Sequence, residues 1–178
     1  MTTGTKVDAT RAIKKIKKIQ KDLDPDSILG LIGQRELNWI NKNFRVGGLA
    51  KKWAPLSPNT IAARRGGGVG AQPLRDSGRL AQSFISKVDK PVVAVGTKEK
   101  IAKFHHEGTK PYRIRPKKSG GLLSFMTAKG PVLARSVRHP GLPKRELLPT
   151  KSVARRIAFT TASKLIEMSI LEAEQGKL

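Results

Sequence analysis

The sequence has no cysteine, which excludes disulfides and thiolate metal sites and fits a reducing compartment. Aromatic residues make up only 4%, so Trp39, Trp53, Phe44, Phe84 and Phe104 are expected to serve as packing anchors. No apolar run approaches the length of about 18 residues that a membrane-spanning helix needs. The basic start is not followed by the apolar stretch of a signal peptide. Acidic residues are scarce, with 13 Asp and Glu against 36 Lys and Arg, a net charge of +23. Such a chain repels copies of itself and attracts polyanions. Nucleic acid and an acidic protein ring or shell both satisfy that charge, and composition leaves the two open. The hydrophobic share of 38% is below the usual value, so the core is expected to be thin and completed by elongated elements or by partner subunits. At 178 residues the chain has the size of one domain.

Residues 1–6 are small and polar and are expected to fray. From Val7 to Leu23, Ile13, Ile16, Ile19 and Leu23 recur at helical spacing among Lys14, Lys15, Lys17, Lys18 and Lys21. This is a basic amphipathic helix, resting on the core, facing a polyanion or, least favoured because its stripe lacks bulky aromatics, lying on a membrane surface. It makes residues 1–24 a basic extension ahead of a single domain spanning 25–178. Asp24-Pro25-Asp26-Ser27 restarts the chain, with Asp26 or Ser27 as cap. Ile28, Leu29, Ile32, Leu37, Ile40 and Phe44 then carry a second helix to about Arg45, where Gly47-Gly48 ends it. Gly30 and Gly33 weaken its start and suggest close packing.

Two turn-rich phrases follow, Trp53–Thr60 and Leu74–Leu80, with Ser57 or Asn59 and Asp76-Ser77 as cap candidates. Between them Gly66, Gly68 and Ala71 match the GxGxxA spacing of a dinucleotide loop. No strand precedes them, however, and Pro73 stands where a helix should open. Phe84–Val88 and Val92–Gly96 read as a hairpin around Asp89-Lys90-Pro91. Glu99–His106 reads as a short helix closed by Gly108. Tyr112–Pro116, Leu122–Met126 and Val132–Arg138 read as further strands, and Leu148–Leu171 as a long helix. The expected fold is α+β, an antiparallel sheet of four to five strands packed with two N-terminal helices and a long C-terminal helix.

Candidate chemistry is thin. The histidines are His105, His106 and His139; the first two point to different sides of any regular element, which does not suit zinc. The carboxylates Asp76, Asp89, Glu99, Glu107 and Glu146 are scattered through turns and helix edges. Ser77, His105 and Asp76 make a triad only on paper, without a nucleophile elbow. No enzyme activity, metal or cofactor is expected. The feature that stands out is Lys110, Arg113, Arg115, Lys117 and Lys118, five positive charges on an extended segment within a long basic loop around 110–121. They suit either an edge strand charged against edge-to-edge pairing or a surface for a polyanion or acidic partner. Trp53, Leu80, Phe84 and Phe104 are the expected structural anchors.

The order Phe44, Trp53-Ala54-Pro55-Leu56-Ser57, Thr60, a basic loop, then Leu74-Arg75-Asp76-Ser77-Gly78-Arg79-Leu80 and Ser83 resembles the tailed-phage virion morphogenesis family. Val95-Gly96-Thr97, Ala102 through His106-Glu107-Gly108 and Leu142-Pro143-Lys144-Arg145 continue the resemblance across residues 28–170. The sequence departs from the family at Pro143-Lys144-Arg145-Glu146, where a proline, an arginine and an aromatic are usual, and in the basic helix before Asp24. The resemblance implies a non-enzymatic tail-completion, terminator or head–tail connector protein, assembled in the host cytoplasm into the virion tail or neck. Its implied partners are itself in a ring, often six-fold, and neighbouring neck, connector, portal or tail-tube proteins, with no membrane. In such a ring the basic residues Lys14, Lys15, Lys17, Lys18, Lys110, Arg113, Arg115, Lys117 and Lys118 would face double-stranded DNA in the channel or acidic protein. A basic, non-specific nucleic-acid-binding protein is the alternative that the charge alone allows.

Overall fold

A computed structural model describes residues 10–62, 64, 72–127 and 129–175. In chain order it contains α1 (Thr10–Asp22), α2 (Pro25–Val46), α3 (Pro58–Ala62), α4 (Arg79–Gln82), β1 (Phe84–Asp89), β2 (Val92–Thr97), α5 (Lys100–Glu107), β3 (Tyr112–Ile114), β4 (Leu123–Thr127), β5 (Gly130–Ala134), β6 (Val137–His139) and α6 (Lys151–Glu174). The class is α+β, with a long C-terminal helix. The single sheet of four to five strands is not formed among the described residues: β1 pairs with β2, β3 with β6 and β4 with β5, giving three two-stranded sheets. The strands are short, and Pro91, Pro111, Pro116 and Pro131 at or beside their ends remove donors that a wider ladder would need. The frayed-end expectation for residues 1–6 and the glycine motif of Gly66, Gly68 and Ala71 lie outside the described residues.

The chain divides into two compact units. One draws on residues 1–36, 86–94 and 150–178. Here α2 starts two to three positions earlier than the sequence suggests, with Asp26 and Ser27 inside its first turn rather than capping it. Asp24 is the cap, its Oδ2 accepting from the Ser27 amide at 3.0 Å, and Pro25 takes the first helical position. Gly33 is buried against the hairpin; a Cβ there would lie 2.9 Å from both Ser86 Cβ and Val93 Cγ2. Nothing lies within 4 Å of the corresponding point on Gly30. Asp26 forms an ion pair with Lys90 in the turn between β1 and β2, and α1 packs on α6. Thr150 caps α6, its Oγ1 accepting from the Val153 amide at 3.4 Å, so the helix begins after Pro149 rather than at Leu148.

The second unit comprises residues 37–85 and 95–149. Its core is Ile40, Phe44, Trp53, Leu80, Phe84, Ala102 and Leu147. Phe44 sits at the centre, edge-on to Trp53 at 5.3 Å and tilted against Phe84 at 5.8 Å between ring centroids. The end of α2 sets this up. Gly47 turns left-handed at φ 67°, and the Gly48 amide donates to the Asn43 carbonyl at 3.0 Å, the bond pattern of a glycine-terminated helix. The Trp53 amide then donates to Gly47 O at 2.8 Å, bringing the indole back onto Phe44. Asn43 itself is 1% exposed. Its Nδ2 donates to Glu146 O at 2.8 Å and Leu147 O at 3.3 Å, and its Oδ1 accepts from the Leu49 amide at 2.7 Å.

Trp53, Leu80 and Phe84 therefore lie in the core, but Phe104 does not; it is 52% exposed. On a helix of eight residues with one covered side, Ala102 takes the inward position. Residue 104, two positions on, projects about 200° away from it.

Replacing Gly30 by Ala on its open helix face is expected to raise stability by up to about 1 kcal/mol. Gly33→Ala should instead lower it by about 1 kcal/mol, because overpacking against Ser86 and Val93 outweighs the helix-propensity gain. Urea unfolding midpoints of the two variants check this contrast. Asn43→Leu should cost about 2–4 kcal/mol by stranding two carbonyls and an amide; a loss below about 0.5 kcal/mol in the same assay would show that they find other partners.

Candidate functional site: a basic arm and the recess at its base

Residues 109–142 form one long interrupted hairpin. At its base Thr109 and Leu142 form a bridge, with Thr109 N to Leu142 O at 3.0 Å and Leu142 N to Thr109 O at 3.2 Å. The same register continues outward as Tyr112 opposite His139, Arg113 opposite Arg138 and Ile114 opposite Val137. The outer ladder runs from Leu123 opposite Ala134 to Thr127 opposite Gly130. Between the ladders the outgoing side carries residues 115–122 and the returning side only 135–136. The surplus on one side explains why the segment around Lys117 and Lys118 projects as a loop while β3 pairs with β6 rather than with β4.

Between Thr109 and Leu142 the chain carries Lys110, Arg113, Arg115, Lys117, Lys118, Lys129, Arg135 and Arg138, and no Asp or Glu. All eight are exposed. Arg113 and Arg138 face one another directly across the ladder, a like-charge placement that costs stability unless an anion lies nearby. Leu122, Met126 and Leu133 near the tip are also exposed, Leu133 at 67%. The other predicted basic residues lie on α1: Lys14 and Lys17 are exposed, and the side chains of Lys15 and Lys18 lie outside the described residues. They belong to the first unit and the arm to the second.

The base is tightly determined. Gly141 has φ 90°, and a Cβ there would collide with the Thr109 carbonyl; Gly108 has φ 77°, and a Cβ there would lie 2.8 Å from Leu142 O. Tyr112 stacks on His139 with centroids 4.8 Å apart, and His139 Nδ1 accepts from the Gly141 amide at 3.0 Å. His106 Nδ1 accepts from the Leu147 amide at 3.1 Å. Two of the three histidines thus hold backbone in place through Nδ1. Among the described residues no three His, Asp or Glu side chains converge as metal ligands. The Ser77–His105–Asp76 set is not assembled as a relay. Ser77 Oγ accepts from the Arg79 amide at 3.4 Å, and His105 Nδ1 has no hydrogen-bond partner.

Two of the recesses on this unit bear on Phe104 and on the base of the arm. One, of about 560 Å³, is lined by Phe84, Ala102, Phe104, Leu147 and Leu148 with Lys98, Lys100 and Lys103 around it; this is where Phe104 belongs. The other, of about 540 Å³, lies where the arm returns, between Pro55-Leu56-Ser57 and His139–Pro143. Arg145, His105, Arg64 and Asp76 also line it. Arg145 is 5% exposed. Its amide donates to His105 O at 2.8 Å and its Nη2 to Ala54 O at 3.0 Å. Burial lowers the pKa of Arg145, and burial together with the Arg145 charge lowers that of His105. Sequence reading passed over Arg145 as a site residue. Its run Pro143-Lys144-Arg145 was visible, but nothing in it tells a buried arginine from an exposed one.

The model of the phage virion morphogenesis family matches residues 8–165. No curated protein and no solved structure matches the chain.

Gly141→Ala should loosen the arm at its root while leaving the Phe44 core intact. Hydrogen exchange is expected to quicken at the Thr109 and Leu142 amides far more than at the Asn43-linked Leu49 amide. Uniform quickening at all three would mean that the arm and the core unfold as one.

Proposed function

The chain belongs to the phage virion morphogenesis family, matched over residues 8–165, and from that membership we propose that it is a ring subunit that completes the tail of a tailed phage or joins it to the head at the neck. The observation that carries this reading beyond membership is the arm. Eight basic residues without an acid, two of them paired like-to-like across a ladder, form a surface that is stabilised by an anionic partner. The exposure of Phe159 at 74% and Leu133 at 67% suits a subunit whose neighbours cover it in the assembled virion. Its partners on this reading are further copies of itself, six-fold in the simplest case, and neighbouring neck, connector, portal or tail-tube proteins. It works through surfaces and not through catalysis. Lys110, Arg113, Arg115, Lys117 and Lys118 meet acidic protein or channel DNA, and the lysines of α1 offer a basic surface of their own on the first unit.

The exposed arm gives a second reading, non-specific nucleic-acid binding, its own support, and one set of variants separates the two. Lys110, Arg113, Arg115, Lys117 and Lys118 are replaced together by Gln. On the assembly reading the variant folds with an unfolding midpoint no lower than the parent's, since the repulsion of Arg113 and Arg138 is relieved, and infected cells accumulate filled heads and finished tails that do not join. On the nucleic-acid reading joining persists, and the salt slope of DNA binding falls by roughly four to five, close to one per phosphate contact removed. Normal joining by the variant would overturn the role given to the arm.

A further inference from the structure

Arg145 carries a charge that the described residues do not answer. The residue is 5% exposed, a single carbonyl accepts from Nη2, and Nε has no partner. The ion pairs among the described residues are Arg79–Glu99, Lys90–Asp26 and Lys144–Glu146, none of which includes it. The undescribed positions within its unit, 63, 65–71 and 128, contain no Asp or Glu. A guanidinium this far below the surface with one neutral acceptor is under-compensated. Nε–H is unpartnered, and with the second hydrogen of Nη2 it makes up the edge that a carboxylate meets with two parallel hydrogen bonds. His105 Nδ1 is buried without a partner as well, and it lines the same recess as Arg145. Arg64 and His139 stand on the same lining and add positive or donor character.

We propose that this recess is a carboxylate-binding site, taking an Asp or Glu side chain presented by a protein that docks at the base of the arm. The assembly reading is used only to say where the carboxylate comes from; the site itself rests on Arg145 and His105. The recess walls include Pro55, Leu56, Leu142 and Pro143, which suit the apolar stem of an acidic side chain. Phosphates fixed along a duplex cannot descend to a guanidinium below such walls, whereas one flexible side chain can. Asp76 lines the recess too and is exposed, so it is the internal rival for the same position.

The test is an NMR titration of the full chain labelled with nitrogen-15, following the Arg145 Nε–Hε resonance, identified by its loss in Arg145→Lys. The probes are N-acetylglutamate methylamide, its glutamine counterpart and inorganic phosphate. The expected result is a saturable shift with the glutamate compound in the low-millimolar range, none with the glutamine compound, and a rise in the His105 titration midpoint toward its ordinary value as the bound anion offsets Arg145. No saturable shift, or binding of phosphate without the carboxylate, would overturn the site. So would a move of the resonance on Asp76→Asn with no response to any probe, since Arg145 would then be an internally paired structural residue. If Arg145→Lys does not fold, the His105 midpoint in the native chain decides alone: raised by the glutamate compound it supports the site, unmoved it refutes it. Because the titration uses isolated protein, its failure leaves the head-to-tail joining defect of the arm variants untouched, and normal joining by those variants leaves the titration untouched.

Discussion

One buried amide holds the second unit to a single arrangement. Asn43 donates twice to the 146–147 backbone and accepts once from Leu49, so it ties the last turn of α2 to one distant stretch of chain and to the turn that follows the helix. A carboxamide is one of few side chains able to do this, because it offers donors and an acceptor from one small planar group. The aromatic cluster of Phe44, Trp53 and Phe84 supplies the apolar burial but little direction. The amide supplies direction, since each misplacement leaves a buried polar group unpaired. The placement of Leu147 at 1% exposure follows from it, and so does that of the 142–146 segment from which the arm and Arg145 take their positions.

Above that anchor the arm inverts the usual economy of a β-ladder. Opposed arginines and an uninterrupted basic run weaken an isolated hairpin, and they are held in place by the glycine turns at 108 and 141 and by the double bridge of Thr109 with Leu142. The cost is local and the charge is presented outward, a pattern suited to interaction rather than stability. Arg145 repeats this pattern in the interior, with a positive group whose environment penalises charge, whose Nε has no partner, and which lines a recess. The two features adjoin through the chain segment from His139 to Arg145, so a protein seated on the base of the arm meets both.

Much was legible from residue pattern alone. The absence of cysteine, the +23 charge, the helix ending at Gly47-Gly48, the hairpin around Lys90-Pro91, the short helix closed by Gly108 and the long final helix all follow from local chemistry. Glycine freedom, proline geometry and apolar periodicity act over a few residues and need no partner from elsewhere in the chain. The order of short motifs also pointed to the family matched over residues 8–165. Which strand pairs with which depends instead on long-range register. Tyr112–Ile114 reads equally well as the neighbour of β4, and only the bridge at Thr109 and the surplus of residues 115–122 assign it to β6.

Side-chain fate was likewise decided in three dimensions. Phe104 has the composition of a core residue, but on a short helix Ala102 occupies the inward face and leaves the phenyl ring half outside. Asn43 and Arg145 have the composition of surface residues and are buried, because burial of a polar group depends on whether distant backbone brings it partners. Sequence by itself determined the charge, the class of fold, the family and the local turns. Tertiary structure decided the pairing of strands, the projection of the arm and the burial of an arginine whose Nε has no partner, because each depends on contacts between residues far apart in the chain.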